Sequence, residues 1–415
     1  MLSQALVLCG GLGTRLGELT ASTPKPMLPV AGRPFLEHLL QEIARYGVTH
    51  IVLLAGRFGE QIADLYDGRR LFGAHIEVLV EREPLGTAGA LRFAEERLAS
   101  EFLLLNGDSW IDADLVHFAL QWRTAKAVQP TLAAQMLLQS VPDVGRYGSV
   151  MVDNGRVTAF REKARDLAGC SGHINAGVYL LSKEVIGLIP GGVASSLEAD
   201  ILPLLISSRQ VVAVAAPENT YFIDIGVPES LARAQEALQR ARTRAAVFFD
   251  RDGTLNRDFG YTHRVEDLAW MQDAREAIAF ANAAGFLVFV VTNQAGVARG
   301  LYDERAIAAF HGAMQEQLFD FGAHIDAIEW CPHHIDGVVE AYRKQCGCRK
   351  PLPGMINNLL GAWPVDRTRS LFIGDAETDM QAAGAAGIRA FRYEGGSLLN
   401  LLQKAISTFE EGHVD

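Results

Sequence analysis

Short apolar runs separated by amphipathic stretches dominate the first half of the chain. Residues 5–9, 51–55, 76–80 and 102–105 are almost wholly apolar, as expected of strands buried on both faces. Between them, 34–46 and 87–98 carry apolar residues at helical spacing. This alternation predicts βαβ units in a mostly parallel, doubly wound sheet. Strand-like runs continue at 131–138 and 176–181, and 228–244 reads as a polar helix rich in Ala, Gln, Glu and Arg. The rhythm then restarts, with 246–249, 286–291 and 370–373 as central strands of a second α/β domain. The expected architecture is two Rossmann-like domains, 1–242 and 243–415. No Gly/Ser- or Pro-rich tether separates them, so a short helical connection is expected.

Composition narrows the function classes. The 415 residues are 49% hydrophobic and 21% charged, ample for two cores. A net charge of −11 argues against nucleic acid as a partner. It leaves nucleotides open, since those bind in local pockets with metal ions. No apolar run approaches membrane-spanning length, and the first residues lack a basic, then apolar, leader. A cytoplasmic protein acting on small molecules is expected; a homo-oligomer is possible. Of five cysteines, three fall between Cys331 and Cys348, which suggests metal rather than disulfides.

Two stretches carry phosphate-handling chemistry. The first is Cys9-Gly10-Gly11-Leu12-Gly13-Thr14-Arg15-Leu16, directly after a predicted strand. Its glycines let backbone N–H groups approach a polyphosphate, and Arg15 offers a forked donor. It is neither a dinucleotide fingerprint, since Leu16 stands at the final glycine position, nor a Walker loop. A second segment, Thr23-Pro24-Lys25-Pro26-Met27-Leu28-Pro29, holds a lysine in a proline-stiffened loop.

Together these resemble the sugar-nucleotide pyrophosphorylases, which join a sugar 1-phosphate to a nucleoside triphosphate. The resemblance spans about residues 1–240. It implies that Gly10, Gly11, Gly13, Thr14, Glu83, Gly86 and Thr87 contact nucleotide. Gly148, Glu162, Lys163 and Asn175 would contact the sugar phosphate, and Asp108 and Asp224 would hold Mg²⁺. Arg15 would hold the leaving pyrophosphate, and Lys25 would stabilise charge at the α-phosphate. Taken alone, Asp108 also reads as the N-cap of a helix over 111–123. Glu83-Pro84-Leu85-Gly86-Thr87-Ala88-Gly89 is similar to the guanylyltransferases. An acceptor-only carboxylate suits the two donors of guanine, so GTP is expected. Ala164 stands where many relatives have proline.

The second stretch is Asp250-Arg251-Asp252-Gly253-Thr254 at the end of an apolar run. It resembles the haloacid dehalogenase phosphatases, and Thr292-Asn293, Lys350 and Gly374-Asp375 with Asp379 follow in that family's order. The resemblance implies Asp250 as nucleophile and Asp252 as acid and base. Thr292 and Lys350 would hold phosphate oxygens. Asp250, Asp375 and the Asp252 carbonyl would bind Mg²⁺.

Cys331, His333, Cys346 and Cys348 form a natural tetrahedral Zn²⁺ set with no open position, hence structural. His334 is the alternative to His333. This clip, with Thr292-Asn293-Gln294-Ala295-Gly296 and Cys348-Arg349-Lys350-Pro351, is similar to the D-glycero-D-manno-heptose 1,7-bisphosphate phosphatases and their histidinol-phosphate relatives. It implies Asn293 and Arg349 as substrate contacts. Ile335 and Ala376 depart from relatives at the edges of these motifs. The pairing implies a bifunctional enzyme of GDP-heptose synthesis for surface polysaccharide. The alternatives are a mannose or other hexose 1-phosphate transferase fused to such a phosphatase, or one half retained only as a binding module.

Overall fold

The computed structural model describes residues 2–11, 13–145, 148–161 and 169–410. The chain forms two compact units, Leu2–Ala241 and the residues from Arg242 onward.

The first unit is built on a ten-stranded sheet. Its centre is parallel: Glu101–Asn106, Gln4–Leu8, His50–Ala55 and Ala74–Val80 lie side by side in that order. Helices Phe35–Ala44, Gly59–Tyr66 and Gly86–Phe93 belong to the crossovers. Beyond Glu101–Asn106 the sheet is mixed, which corrects the mostly parallel expectation. Gly172–Ser182 runs antiparallel both to Glu101–Asn106 and to Ala134–Val141. The hairpin Ser149–Asp153/Arg156–Arg161 extends that edge. An apolar run shows that a strand is buried but not which way it points. The long strand Gly172–Ser182 also carries an irregularity between Asn175 and Tyr179, of the kind that re-aims side chains.

One expected helix begins later than its periodicity suggested. Ser109–Ile111 is a short strand paired with Phe222–Asp224. The helix is Leu115–Val128, capped by Asp114, whose side chain accepts from Val116 N and His117 N. Asp108 is therefore not a helix cap. The pairing sets it opposite the strand that carries Asp224.

The second unit has five strands, all parallel, in the order Ala327–Cys331, Leu287–Asn293, Ala246–Phe249, Leu371–Gly374 and Arg389–Arg392. Val247 and Phe249 pack on one face with Ile278, Phe310 and Met314. Ala246 and Phe248 pack on the other with Met355, Leu359 and Trp363. Burial on both faces is why these runs are uninterrupted apolar sequence. The chain moves from the central strand to one neighbour and later to the other, so a crevice opens at the strands' carboxyl ends. Asp250, Thr292 and Asp375 all stand at that end. Among the described residues no helix is long and apolar enough to cross a membrane.

Candidate active sites, one in each unit

In the first unit the glycine loop leaves Gln4–Leu8 and turns at Gly13, whose φ is 62°. A Cβ there would lie 2.9 Å from Thr20, so glycine is required on two counts. Thr14 then opens the 3₁₀ turn Thr14–Thr20. Gly107 has a different reason: a Cβ on it would lie 2.6 Å from Leu8 O, where two strand ends meet. That close approach delivers Asp108 to the loop.

Three side chains converge on Gly226. A Cβ at that position would lie 2.6 Å from Asp224 Oδ1, 3.0 Å from Lys25 Nζ and 3.3 Å from Arg15 Nη2. Lys25 is buried, with Nζ 2.5 Å from Asp108 Oδ2 and 3.7 Å from Asp224 Oδ1. Burial, then the neighbouring Asp108, push the Asp224 carboxyl above its ordinary range. The Lys25 ammonium and the Arg15 guanidinium face the two close carboxylates and oppose that rise. Oxygen-only donors suit Mg²⁺.

The residues expected to contact nucleotide and sugar differ in exposure and partners. Glu83 is exposed. The carboxylate beside the glycine loop is Glu81, whose Oε1 lies 4.0 Å from a Cβ placed on Gly10. Glu81 Oε2 accepts from Leu85 N at 3.1 Å, and burial raises its pKa. Gly86 is held at φ 74°, and a Cβ there would lie 2.4 Å from Ser195 O. Thr87 Oγ1 donates to Glu198 Oε2 at 2.7 Å and accepts from Leu197 N at 2.7 Å. Tyr179 Oη donates to Glu198 Oε1 at 3.4 Å and accepts from Asn175 Nδ2. Thr87, Asn175, Tyr179 and Glu198 are thus one connected polar group. Glu198 and Tyr179 were missed in the sequence, because no local motif marks a residue 111 positions from its partner. Gly148 packs under Phe160, where a Cβ would lie 2.8 Å from the ring. Glu162 and Lys163 lie outside the described residues.

In the second unit Asp250 follows Ala246–Phe249, and its backbone N–H donates to Ile373 O. Lys350 is buried, with Nζ 2.5 Å from Asp250 Oδ1, 2.7 Å from Asp379 Oδ1 and 2.8 Å from Val291 O. Asn293 fixes the lysine's main chain, donating to Lys350 O and accepting from Lys350 N, both at 3.1 Å. Gly253 has φ 86°, and a Cβ on it would lie 2.4 Å from Asp375 Oδ2. Asp250, Asp375 and Asp379 can bring one oxygen each within 4.8 Å of one another. Asp379, to which its motif alone assigns no role, is a partner of Lys350.

Burial pushes Asp250 up to about 7, with Lys350 opposing. Burial and Asp379 also raise Asp375. For Lys350 burial acts downward, but Asp250 and Asp379 outweigh it and hold the ammonium above its ordinary value. A carboxyl whose folded pKa is raised costs stability as pH climbs from the ordinary carboxylate range through about 7. In metal-free protein the melting temperature of this unit should therefore fall from pH 5 to pH 8 relative to Asp250→Asn, in which the opposing rise from the buried, neutral His311 is retained. Mg²⁺ should raise it more at pH 8 than at pH 5, because protons compete with the cation. Thermal melts with EDTA or Mg²⁺ across that range check both.

Asp252 has its own set of partners and also adds to the rise at Asp250. Its carboxylate meets Arg251 Nη2 at 2.8 Å, Gln294 Nε2 at 2.8 Å and Asn256 Nδ2 at 3.0 Å. Thr292 Oγ1 accepts from Gln294 Nε2 at 2.8 Å. Arg349 Nη1 donates to His333 O at 3.4 Å.

Cys331, His333, Cys346 and Cys348 close into one cluster. Cys348 Sγ lies 3.2 Å from both Cys331 Sγ and Cys346 Sγ, and 3.3 Å from His333 Nδ1. Cys331 to Cys346 is 3.6 Å. Tetrahedral Zn–S bonds of about 2.3 Å set edges of roughly 3.7 Å, so the spacing and the soft donors fit zinc. His334 turns elsewhere, accepting from Asp336 N and meeting Arg299.

Comparison with known proteins agrees with this division. The nucleotidyl transferase family matches residues 4–241, and a HAD-hydrolase-like family matches 347–403. A D-glycero-beta-D-manno-heptose-1,7-bisphosphate 7-phosphatase of Rhodopseudomonas palustris is 50% identical over 155 residues, 37% of this chain and 86% of that protein. A D-glycero-alpha-D-manno-heptose 1-phosphate guanylyltransferase of Aneurinibacillus thermoaerophilus is 32% identical over 57% of this chain and 98% of that protein. A mannose-1-phosphate guanylyltransferase of Mycobacterium tuberculosis is 37% identical over 57% of this chain, but over only 64% of its own length. Across its first unit the chain belongs to the nucleotidyl transferase family, and across its second to the HAD-like family of the heptose bisphosphate 7-phosphatases.

Proposed function

We propose that the chain performs two consecutive steps of GDP-heptose synthesis. The second unit removes the C7 phosphate of D-glycero-D-manno-heptose 1,7-bisphosphate. The first joins the remaining 1-phosphate to GMP from GTP, releasing pyrophosphate. The observation that carries this is the coexistence, in one chain, of both polar centres with relatives named as a heptose 1,7-bisphosphate 7-phosphatase and a heptose 1-phosphate guanylyltransferase.

In the phosphatase, Asp250 attacks phosphorus while Lys350 and Thr292 hold its oxygens. The leaving C7 oxygen takes a proton from Asp252, and water then hydrolyses the aspartyl-phosphate. Arg349, beside the metal clip, reaches the substrate. In the transferase, Arg15 and Lys25 balance phosphate charge, and Glu81 reads guanine with its acceptor carboxylate. Thr87, Asn175 and Glu198 offer the sugar a ready hydrogen-bonding set. Mg²⁺ held by Asp108 and Asp224, and by Asp250 and Asp375 with the Asp252 carbonyl, supplies charge screening and orients the phosphates. Zinc on the cysteine cluster holds the loop from Cys346 to Lys350. A strong chelator should lower phosphate release at least about tenfold and leave GMP transfer unchanged once Mg²⁺ is restored. Activity assays with and without added Zn²⁺ check this.

The named relatives differ in anomer, beta for the phosphatase and alpha for the guanylyltransferase. Consecutive steps in one chain require a single anomer, and the transferase relative favours alpha. The 37% identity to a mannose-1-phosphate guanylyltransferase favours a second reading, in which the first unit accepts mannose 1-phosphate. Phosphorus NMR with Mg²⁺, GTP and each anomer of the bisphosphate, against mannose 1-phosphate, decides between them. A GDP-sugar signal from the alpha bisphosphate supports the proposal; transfer to mannose 1-phosphate alone replaces it.

A further inference from the structure

We propose that Tyr302 and Gln294 form a clamp that positions Asp252 and Thr292 for hydrolysis of the aspartyl-phosphate, an inference that rests on the phosphatase reading above. Gln294 is 1% exposed and uses every polar atom of its side chain. Nε2 donates to Asp252 Oδ2 and to Thr292 Oγ1, and Oε1 accepts from Tyr302 Oη, all at 2.8 Å. The chemistry of the partners fixes which way the amide faces. A carboxylate only accepts, so Nε2 must face Asp252, and Tyr302 must then be a donor. Burial pushes the tyrosine up to about 12, which keeps its proton in place. Thr292 accepts from Gln294, so its own hydrogen is left for a phosphate oxygen.

Tyr302 is located in turn by its neighbours. A Cβ on Gly296 would lie 2.2 Å from its ring, so the ring sits where any other residue at 296 would collide. Its ring stacks on His263 at 4.2 Å. Arg251 and Asn256 complete the grip on Asp252, with Arg251 Nη2 meeting both carboxylate oxygens. Arg251 is fully buried, donates to Thr262 O at 2.6 Å and lies over Phe310. The carboxylate is thus held by three side chains, and of these three Gln294 is the one that also bonds Thr292. In the hydrolytic step a water oxygen attacks phosphorus as Asp252 takes one of its protons. The phosphorus–oxygen bond to Asp250 breaks, and Asp250 leaves as carboxylate. That step needs Asp252 and the phosphate oxygens in fixed relation, which is what one amide shared between Asp252 and Thr292 provides.

Tyr302→Phe removes a single oxygen and frees the amide to turn. During turnover of heptose 1,7-bisphosphate with Mg²⁺, acid quench followed by counting protein-bound phosphate measures the aspartyl-phosphate. The expected result is kcat lower by about tenfold or more, KM lowered with it, and bound phosphate rising from a minor share to most of the chains. A merely structural role would not trap the intermediate. Gly296→Ala, which displaces the tyrosine ring without touching a reacting group, should give the same trap and stands in if Tyr302→Phe melts early. Wild-type kinetics with no added bound phosphate in a folded variant overturn the clamp alone. A wild-type chain that releases no phosphate overturns the phosphatase reading, and the clamp with it.

Discussion

Asp250→Asn should abolish phosphate release, by about 10⁴-fold or more, while GMP transfer continues at its full rate. The substitution is nearly isosteric, and the backbone bond from residue 250 to Ile373 O is untouched. What disappears is the carboxylate proposed as nucleophile, for which no neighbour substitutes. Asp375 and Asp379 stand close by, but Asp379 is bound to Lys350 and to Ala376 N. Stability should not fall with activity. Burial disfavours the ionised form of Asp250, so a neutral amide removes a cost, and Lys350 keeps Asp379 as its counter-charge. A melting temperature at or above wild type at pH 8, without Mg²⁺, together with no released phosphate, is the expected pair of results. Loss of both activities would mean that the two centres are not independent.

Asp224→Asn should do the converse, lowering GMP transfer by about 10³-fold and leaving phosphate release intact. Asp224 stands with Lys25 and Arg15 around Gly226, and its Oδ1 also accepts from Gly226 N. An amide preserves shape but removes half of the carboxylate pair that would hold the cation. Lys25 keeps its 2.5 Å contact to Asp108, so the loop should stay in place and GTP should still bind. Equilibrium binding of GTP beside the transfer rate separates the two effects. A rate within tenfold of wild type would remove Asp224 from the metal-binding role.

Local signals were enough for much of this. The apolar runs located the strands ending at Asn106, Phe249 and Asn293, and motifs at those ends named Asp108, Asp250 and Thr292. Strand direction was not local information, so the antiparallel insertion of Gly172–Ser182 was missed. Glu81 and Glu83 lie two apart on the same side of Pro84, and only the turn's packing against Gly10 shows which faces the loop. Glu198 and Tyr179 depend on contacts across the unit. Asp114 displaced Asp108 as helix cap because three residues of strand intervene, a pairing made with residues more than a hundred positions away. Asp252 was read for its chemistry, whereas its grip by Arg251, Gln294 and Asn256 required coordinates. The cysteine and histidine spacing was strong enough to select His333 as the first choice, and the cluster geometry places that ring, not His334, among the thiols.

Cys348 and Lys350 are separated by one residue, and Asn293 pins the lysine's main chain. A loop this short has no slack, so the cluster's occupancy and the lysine's position cannot vary independently. With zinc on the cluster, as proposed, a cell starved of that metal should stall the first of the two steps while the second remains able to run. Bisphosphorylated sugar would then accumulate upstream, and nutrient metal supply would set the flux into the nucleotide sugar without any dedicated regulator.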